Sequence, residues 1–430
     1  MDPLEWIANA PLPFLQRCRI ASDLEAVTHR AREDPLGGTG IDADDVEAVW
    51  SAAEALYRTG TTPALQLCIR RRGRIVLNRS LGHARGNAPS DPEDAERVLA
   101  TPETPINVFS AAKLVTAMLF HKLEELGALH LEDCVSEYVP EFASHGKKWI
   151  TFRHLLSHRA GIPNLPPEAL DLDLLAQPER ISQLVCEMEP ASRPGRMVSY
   201  HAISTGFVLA EVVRRVTGSS IRDFLEKEIR QPMGLRWFHY GVSAEQVELV
   251  AQNAATGPPA PPGVSHMLTR ALGKSLPEVV ALSNDPRFLT GVIPSGNLET
   301  TAEDLSAFLQ CMLDGGEYEG VRIFEPRTIR HALNEASYRE VDLTLFMPLR
   351  YGLGPMLGDD PVGLFGPNTE HAFGHLGLSN IFSWADPRRE IAVALLTTGK
   401  PILSLHTIRL VKLLGIINRT FPYRGLKEPD

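Results

Sequence analysis

The feature that most constrains the fold is the placement of strand-like segments near both ends of the chain. Residues 64–82 predict two strands around a turn at Arg72-Gly73. Residues 373–398 predict two more strands around the turn "DPRR" at 386–389. The simplest closure is one antiparallel sheet that takes its strands from both ends of the chain.

Amphipathic helical patterns at 43–58 and 402–419 lie next to the strand segments and predict helices that flank the sheet. Helical patterns also dominate the middle of the chain. We therefore expect an α+β fold whose sheet is interrupted by a mostly helical inserted domain. Any active site is expected at the interface between the two domains. The expected division is an N-terminal extension at 1–42, an α/β domain from 43–155 and 288–425, and a helical domain at 156–287.

Composition narrows the class of protein. The chain has 430 residues, 43% of them hydrophobic, which is ample for a large core. Its net charge of −10 argues against nucleic acid as the main partner, because phosphate binding favours a basic surface. The start "MDPLEWIANAPLPF" lacks the basic region of a signal peptide, the end "GLKEPD" has no lipidation motif, and no apolar run is long enough to span a membrane. Because the five cysteines are scattered and form no CxxC pair, we expect a reduced, cytoplasmic protein.

The stretch "PINVFSAAKLVTAMLF" combines an apolar helix with a few polar side chains. It predicts a buried helix over 108–126, with Asn107 as its N-cap and Gly127 just beyond its end. The strongly polar side chains of its first part step by three residues and therefore share one face of the helix. They are Ser110, Lys113 and Thr116.

A lysine inside an apolar helix is costly unless it is neutral or well partnered. Burial lowers the pKa of a lysine, and the positive end of the helix dipole acts in the same direction. A neutral Lys113 one turn from the Ser110 hydroxyl would be a base beside a nucleophile. The alternative is a lysine that extends its charge to solvent and a serine that only starts the helix.

Two further stretches offer partners for this pair. Tyr200 precedes an amphipathic helix that ends at Gly218, where its hydroxyl could relay protons; the alternative is a core tyrosine. In "FGHLGLSN", Gly374 and Gly377 lie on either side of His375 in a strand, and such glycines often mark close approach by a ligand. Exposed N–H groups there could stabilise an oxyanion, and the histidine could donate to a substrate; the alternative is a structural histidine.

Several motifs in this order resemble the superfamily of penicillin-binding proteins and class C β-lactamases. These are Ser-x-x-Lys at 110–113, Tyr200, and His-x-Gly at 375–377. The stretches "ITFRHLLSHRAGIP", "PSGNLETTAEDLSAFLQCMLDGGEYEGVRIF" and "YGLG" are also similar to family segments, and the resemblance covers about 45 to 425. The stretch "YHAISTGFVLAEVVRRVTG" is most similar to the family VIII carboxylesterases.

The resemblance implies a role for each matching residue. Ser110 would be the acylated nucleophile, Lys113 its general base, and Tyr200 a proton relay. The backbone N–H groups of Ser110 and Leu378 would form the oxyanion hole. The implied activity is hydrolysis of carboxylic esters through an acyl-enzyme, without a metal or cofactor.

The sequence also departs from the β-lactamase pattern. Ala202 replaces the asparagine of Tyr-x-Asn, and His375 replaces the lysine of Lys-Thr-Gly, with Gly377 retained. The missing side chains would contact the acylamino group and the carboxylate of a β-lactam. Because an ester needs neither contact, we expect His375, Gly377, Leu378 and Ala202 to border a site for neutral, fairly small esters.

Four other functions stay open at this stage. A zinc hydrolase could use the i, i+4 pairs His154/His158 and His371/His375, but neither pair contains the Glu of H-E-x-x-H. A non-catalytic binding protein on the same fold is a second alternative. An acyltransferase would use the same acyl-enzyme, and a β-lactamase or D-amino-peptidase would act on cell-wall-like substrates. Substrate choice would depend on a roof over the site, which we expect at 165–180, 255–290 and 340–372.

Overall fold

The computed structural model describes residues 15–423, and its centre is an antiparallel sheet assembled from both ends of that range. The strands are β1 (Thr28–Arg30), β2 (Ala64–Arg71), β3 (Arg74–Arg85), β4 (Val98–Leu99), β5 (Ser337–Asp342), β6 (Met347–Tyr351), β7 (Met356–Leu357), β8 (Phe373–Gly377), β9 (Ile381–Asp386) and β10 (Ile391–Thr397). Their order across the sheet is β1-β3-β2-β10-β9-β8-β7-β6-β5, and β4 pairs with β3. The α+β fold expected from the sequence is confirmed.

Helices cover both faces of this sheet. The longer ones are α1 (Ala43–Tyr57), α2 (Ala112–Glu125), α3 (Pro178–Glu187), α4 (Ser204–Thr217), α5 (Pro262–Leu272), α6 (Ala302–Leu313) and α7 (His406–Thr420). Shorter α-helices are Val135–Tyr138, Phe152–Leu156, Ile221–Leu225, Gln231–Met233, Leu276–Leu282, Pro286–Thr290 and Pro326–Ala332. Among residues 15–423, no helix combines the length and the apolar character that a bilayer crossing requires.

The two central strands join the two ends of the chain. β2 pairs with β10, where Ile69 lies opposite Val393, and every residue of both strands is buried. Because successive side chains of a strand point to opposite faces, Val393 packs in the cluster that includes α1 and α7. Its neighbour Ala394 packs on the other face, in the cluster that includes α6.

Most of the elements predicted from the sequence are present. The helix predicted at 43–58 is α1, which starts at a capping box formed by Asp42 and Asp45. The turn between β2 and β3 lies at Arg72-Gly73, where both residues have positive φ. The helix predicted at 402–419 begins later, at His406.

The C-terminal strand prediction needs a correction. Residues 373–398 contain three strands, not two, because the chain turns at 378–380 between β8 and β9. Ser379 and Asn380 both have positive φ in this turn. A short polar loop with asparagine is typical of such turns, but the surrounding apolar residues concealed it.

A second, three-stranded sheet joins the inserted segment to the residues on either side of it. Its strands are Ile106–Asn107, Leu298–Thr300 and Phe238–Tyr240, with Leu298–Thr300 in the centre. This sheet ties the middle of the chain to the residues just before Ser110. Most other elements between 156 and 287 are helical, and the exact domain boundaries stay a prediction.

The N-terminal extension predicted at 1–42 is described only from residue 15. Within it, β1 adds an edge strand to the main sheet by pairing with β3. The N-terminal stretch at 1–14, and the C-terminal stretch "GLKEPD" at 425–430, lie outside the described residues.

Candidate active site

Ser110 lies in a tight turn that leads into α2. The predicted helix over 108–126 is shorter than expected, because α2 begins at Ala112 and Phe109–Ala111 form a 3₁₀ turn. Phe109 has a φ of 46°, a left-handed conformation that costs a non-glycine residue roughly 1 kcal/mol or more. Asn107 does not cap an α-helix; its Oδ1 accepts from the Phe109 N–H at 3.1 Å and supports this turn.

Lys113 is the second residue of α2, and its amine points toward Ser110. Its Nζ lies 3.1 Å from Ser110 Oγ, 2.6 Å from the carbonyl oxygen of Ala202 and 2.9 Å from that of Ser295. Only 8% of Lys113 is exposed, and no carboxylate is among these partners. Burial lowers the pKa of Lys113 to about 7.

These three contacts determine what a neutral Lys113 can do. A neutral amine has two N–H groups and one lone pair. The carbonyl oxygens of Ala202 and Ser295 can only accept, so they take both N–H groups. The lone pair is then left for the Ser110 hydroxyl, which is the arrangement required of a base that removes a proton from a nucleophile.

Tyr200 lies on the other side of the same pair of residues. Its hydroxyl interacts with the Ser110 side chain, and its ring centroid is 4.9 Å from Lys113 Nζ. Burial raises the pKa of Tyr200, so the phenol is neutral and can both donate and accept a hydrogen bond. The backbone N–H of Tyr200 donates to Asp342 Oδ1 at 3.1 Å, which holds the residue in place just before α4.

His375 lies behind Tyr200 and has no exposed surface. The two ring centroids are 6.2 Å apart. Its Nδ1–H donates to the carbonyl oxygen of Leu376 at 2.7 Å, because a carbonyl can only accept, and burial lowers its pKa to about 3. A neutral ring in this tautomer has no N–H left for a substrate, so the expected donation is not what this geometry provides.

Two more histidines lie close to Tyr200. The rings of His158 and Tyr200 are 4.8 Å apart, and His158 Nδ1 lies 3.4 Å from His201 Nδ1. Burial lowers the pKa of His201 to about 3 and that of His158 well below its usual value. The site around Lys113 therefore contains neutral rings rather than permanent cations.

Gly377 allows the end of β8 to approach the Ser110 turn. A Cβ at this position would lie 2.4 Å from the carbonyl oxygen of Val108 and 2.8 Å from Ile381, so any side chain would push the two segments apart. Leu378, the next residue, borders the same cavity as Ser110. This places the two backbone N–H groups expected to form the oxyanion hole on neighbouring segments.

An apolar cavity opens in front of Ser110. It encloses about 830 Å³, including its opening to solvent, and Ala202 and Leu378 contribute to its wall. Much of the wall comes from aliphatic and aromatic side chains: Leu165, Leu170, Leu172, Leu175, Phe207 and Phe288. One acid and one lysine, Asp171 and Lys274, also border it.

The sequence predicted a roof over the site at 165–180, 255–290 and 340–372. Only part of this prediction matches the residues that line the cavity. The first two segments supply part of its wall, including Leu165 and Lys274. The third contributes Asp342, which lies behind Tyr200. Its Oδ1 also accepts from the N–H groups of Thr344 and Leu345.

Some residues that hold the site were missed from the sequence. Asp342, Ser295 and Glu299 are distant in sequence from Ser110. Ser295 and Glu299 lie in a stretch that resembles a family segment, but the resemblance gave them no role. Ser295 contributes only a backbone carbonyl, which no side-chain pattern reveals. Asp342 begins an Asp-x-Thr turn, but that signal does not indicate that Tyr200 would meet it.

The histidine pairs considered for zinc serve other purposes. His154 Nδ1 accepts from the N–H of Thr151 at the start of a short helix. His158 contacts His201, and the exposed His371 pairs with Glu370 at 3.0 Å. Neither predicted pair forms a metal-type cluster within residues 15–423.

Comparison with known proteins agrees with this geometry. A family model described as Beta-lactamase matches residues 50–411. The chain belongs to this β-lactamase family. The resemblance expected from the motifs is thus confirmed, and the family places the chain among serine hydrolases of the β-lactamase and penicillin-binding-protein superfamily.

Relatives of this β-lactamase family member include esterases. It is 28% identical to the Esterase/beta-lactamase LipL of Mycobacterium tuberculosis over 304 residues, which is 67% of this chain and 68% of that protein. A penicillin-binding protein homologue from Caulobacter crescentus superposes with a TM-score of 0.74 at 25% identity, over 89% of this chain and 99% of the other. A family VIII carboxylesterase superposes with a TM-score of 0.73 at 26% identity, over 87% and 98%.

Proposed function

We propose that the protein hydrolyses carboxylic esters through an acyl-enzyme on Ser110. The observation that carries the proposal is the position of Lys113, whose buried amine contacts Ser110 and two backbone carbonyls. Its pKa of about 7 leaves a large share of the amine neutral at neutral pH. The likeness to a family VIII carboxylesterase supports esters as the substrates.

The proposed reaction has two halves. Ser110 Oγ attacks the ester carbonyl while its proton moves to Lys113 Nζ. The bond from the carbonyl carbon to the alcohol oxygen then breaks, and the alcohol leaves with a proton supplied through the Tyr200 hydroxyl. Water attacks the acyl group in the second half, and its proton passes back through the same pair as Ser110 is released.

The oxyanion would be held by the backbone N–H groups of Ser110 and Leu378. Support comes from Gly377, whose missing side chain lets the two segments approach. Backbone donors in a water-poor site stabilise developing negative charge strongly, and losing one such donor typically costs about 3 kcal/mol.

The cavity favours neutral, small-molecule esters with apolar groups. Its wall is mainly aliphatic and aromatic, and its one acid and one lysine have opposite charges. Neither His375 nor the rings near it can supply a fixed cation for a carboxylate. The partner that we propose is a small-molecule ester rather than a nucleic acid. The cytoplasmic location stays a prediction.

Intact-mass analysis after mixing with a slowly hydrolysed ester tests the acyl-enzyme directly. We expect one acyl adduct, which peptide mapping places on Ser110, and none in Ser110→Ala. Ser136→Ala, which removes a serine that donates to the carbonyl oxygen of Lys148, is the matched control and should acylate normally. An adduct on another residue would contradict the mechanism.

Acyl transfer and β-lactam hydrolysis are the two alternatives that use the same nucleophile. A panel of esters of graded acyl length, run with and without an added alcohol, separates hydrolysis from transfer by the product formed. The printed name of the Mycobacterium tuberculosis relative includes β-lactamase, so a chromogenic cephalosporin belongs in the panel. Faster turnover of the cephalosporin than of every ester would overturn the carboxylesterase proposal.

A further inference from the structure

The second half of α2 carries a histidine that the proposed reaction does not use. His121 is 1% exposed, and one of its ring nitrogens, Nε2, lies 2.8 Å from the carbonyl oxygen of Leu353. Because a carbonyl only accepts, Nε2 carries the proton and Nδ1 carries a lone pair. Nδ1 is buried and has no hydrogen-bond partner among residues 15–423.

Two more potential ligands lie near the His121 ring. Glu124 follows His121 by three residues, so both lie on one face of α2. His331 comes from the helix Pro326–Ala332, and its Nδ1 lies 3.0 Å from Glu124 Oε2. The ligand atoms of the three residues all lie within 4.8 Å of one another.

We propose that His121 Nδ1, Glu124 and His331 bind a divalent transition-metal ion of the Zn²⁺ class. Two imidazoles and one carboxylate suit Zn²⁺ better than Mg²⁺ or Ca²⁺, which prefer oxygen ligands alone. Ligand atoms around a tetrahedral Zn²⁺ are roughly 3.3 Å apart, so a gap as wide as 4.8 Å in this cluster would close by about 1.5 Å when the ion binds.

The surroundings of the cluster resemble those of metal sites in general. A metal-binding histidine usually donates its other ring N–H to a carbonyl or carboxylate, as His121 does to Leu353. Glu124 is also oriented, because its Oε1 accepts from the N–H of Leu131 at 3.0 Å. His130 Nδ1 lies 3.4 Å from the same oxygen, so this exposed residue or a water can supply a fourth ligand.

The metal site would stabilise the fold and would not take part in ester hydrolysis. His121 lies about 12 Å from Lys113 along the helix axis, at about 1.5 Å per residue. The ion would join α2 to the helix Pro326–Ala332 beside the loop at Leu353. The loop at Leu353 already lies close to α2, since a Cβ on Gly354 would lie 2.2 Å from the Cβ of Ala117.

Cobalt binding tests the proposal on the full chain. Protein freed of metal with a chelator is titrated with Co²⁺ and followed by visible absorption, which reports tetrahedral cobalt. We expect one ion per chain, displacement by Zn²⁺, and a higher Tm with the ion present. His331→Ala and Glu124→Gln, which change partly exposed residues, should each weaken binding by about 100-fold or more.

His371→Ala is the matched control, because it removes an exposed histidine that pairs with Glu370 but has no third ligand among residues 15–423. It should leave cobalt affinity and the absorption spectrum unchanged. The proposal is overturned if the wild type binds no more tightly than His331→Ala, or if His371→Ala loses as much affinity. Catalytic rates play no part in this test, so its outcome is independent of the proposed ester hydrolysis.

Discussion

Asn107 donates from its side-chain nitrogen to Glu299 Oε1 at 2.8 Å, and both residues are fully buried beneath the turn that presents Ser110. The side-chain oxygen of Asn107, Oδ1, accepts from the N–H of Phe109, the residue with positive φ. Glu299 therefore supports the strained turn through Asn107. Its Oε2 has no hydrogen-bond partner among the described residues, so a proton there is favoured.

Burial raises the pKa of Glu299 to about 8, which predicts a pH dependence of stability. The folded protein keeps this proton while the unfolded chain loses it near pH 4.5. The free energy of unfolding should therefore fall as pH rises from 4.5 to about 8, by up to about 1.4 kcal/mol per pH unit from this group. Glu299→Gln removes the titration, so the difference between variant and wild type, measured by urea unfolding, should change across this range. Parallel pH profiles would show that Glu299 does not carry the proton.

Lys113→Arg should reduce kcat/KM by several orders of magnitude, because a guanidinium does not give up its proton at accessible pH. In the wild type, kcat/KM should rise with pH through an apparent pKa near 7, as Lys113 becomes neutral. The nearby His201 and His375, whose pKa values are lowered to about 3, do not titrate in this range. Lys122→Arg, on the same helix and paired with Glu125, is the control and should keep normal rates. Near-normal turnover of Lys113→Arg would show that Lys113 is not the base.

Tyr200→Phe keeps the ring but removes the hydroxyl that contacts Ser110. We expect kcat to fall by about 10²- to 10⁴-fold, with little change in KM, because the lost interaction is a proton transfer. Esters with better leaving groups should be less affected, since they need less proton donation. Tyr138→Phe removes a hydroxyl that donates to Asp133 and serves as the control. Equal losses for good and poor leaving groups would contradict the relay role.

Leu165→Trp should shorten the preferred acyl or alcohol group, because Leu165 lies on the wall of the cavity in front of Ser110. The expected result is a loss of about 10-fold or more in kcat/KM for long esters relative to the acetate ester. Leu126→Trp, on an exposed residue, gives the same change in side chain away from the cavity. A uniform loss across the ester series would show that the substrate occupies a different part of the site.

The sequence predicted the parts of the site that follow local patterns. Step-three spacing placed Ser110 and Lys113 together, and a helix signal ending at Gly218 placed Tyr200 just before α4. It did not predict the 3₁₀ turn at Ser110, because the left-handed Phe109 depends on Asn107 and Glu299, which only the folded sheet brings together. Tertiary contacts here override the local preference for helix.

The orientation of His375 was also beyond the reach of the sequence. A strand places successive side chains on opposite faces, but only the packing of Tyr200 against this face shows that the ring is covered. The metal-type cluster was missed for a similar reason. Glu124 and His331 are 207 positions apart, and no spacing rule joins residues from two different helices.

The pairing of β2 with β10 sets a condition on biosynthesis. The N–H of Ala64 donates to Thr398 Oγ1 across 334 positions, so the centre of the sheet cannot form until nearly the whole chain has left the ribosome. Until then β2 and β3 form a hairpin whose open edge is ready to pair with other nascent chains. Such long-range closure makes folding slow and exposes it to aggregation. We infer that the yield of active protein depends on translation rate and chaperone supply.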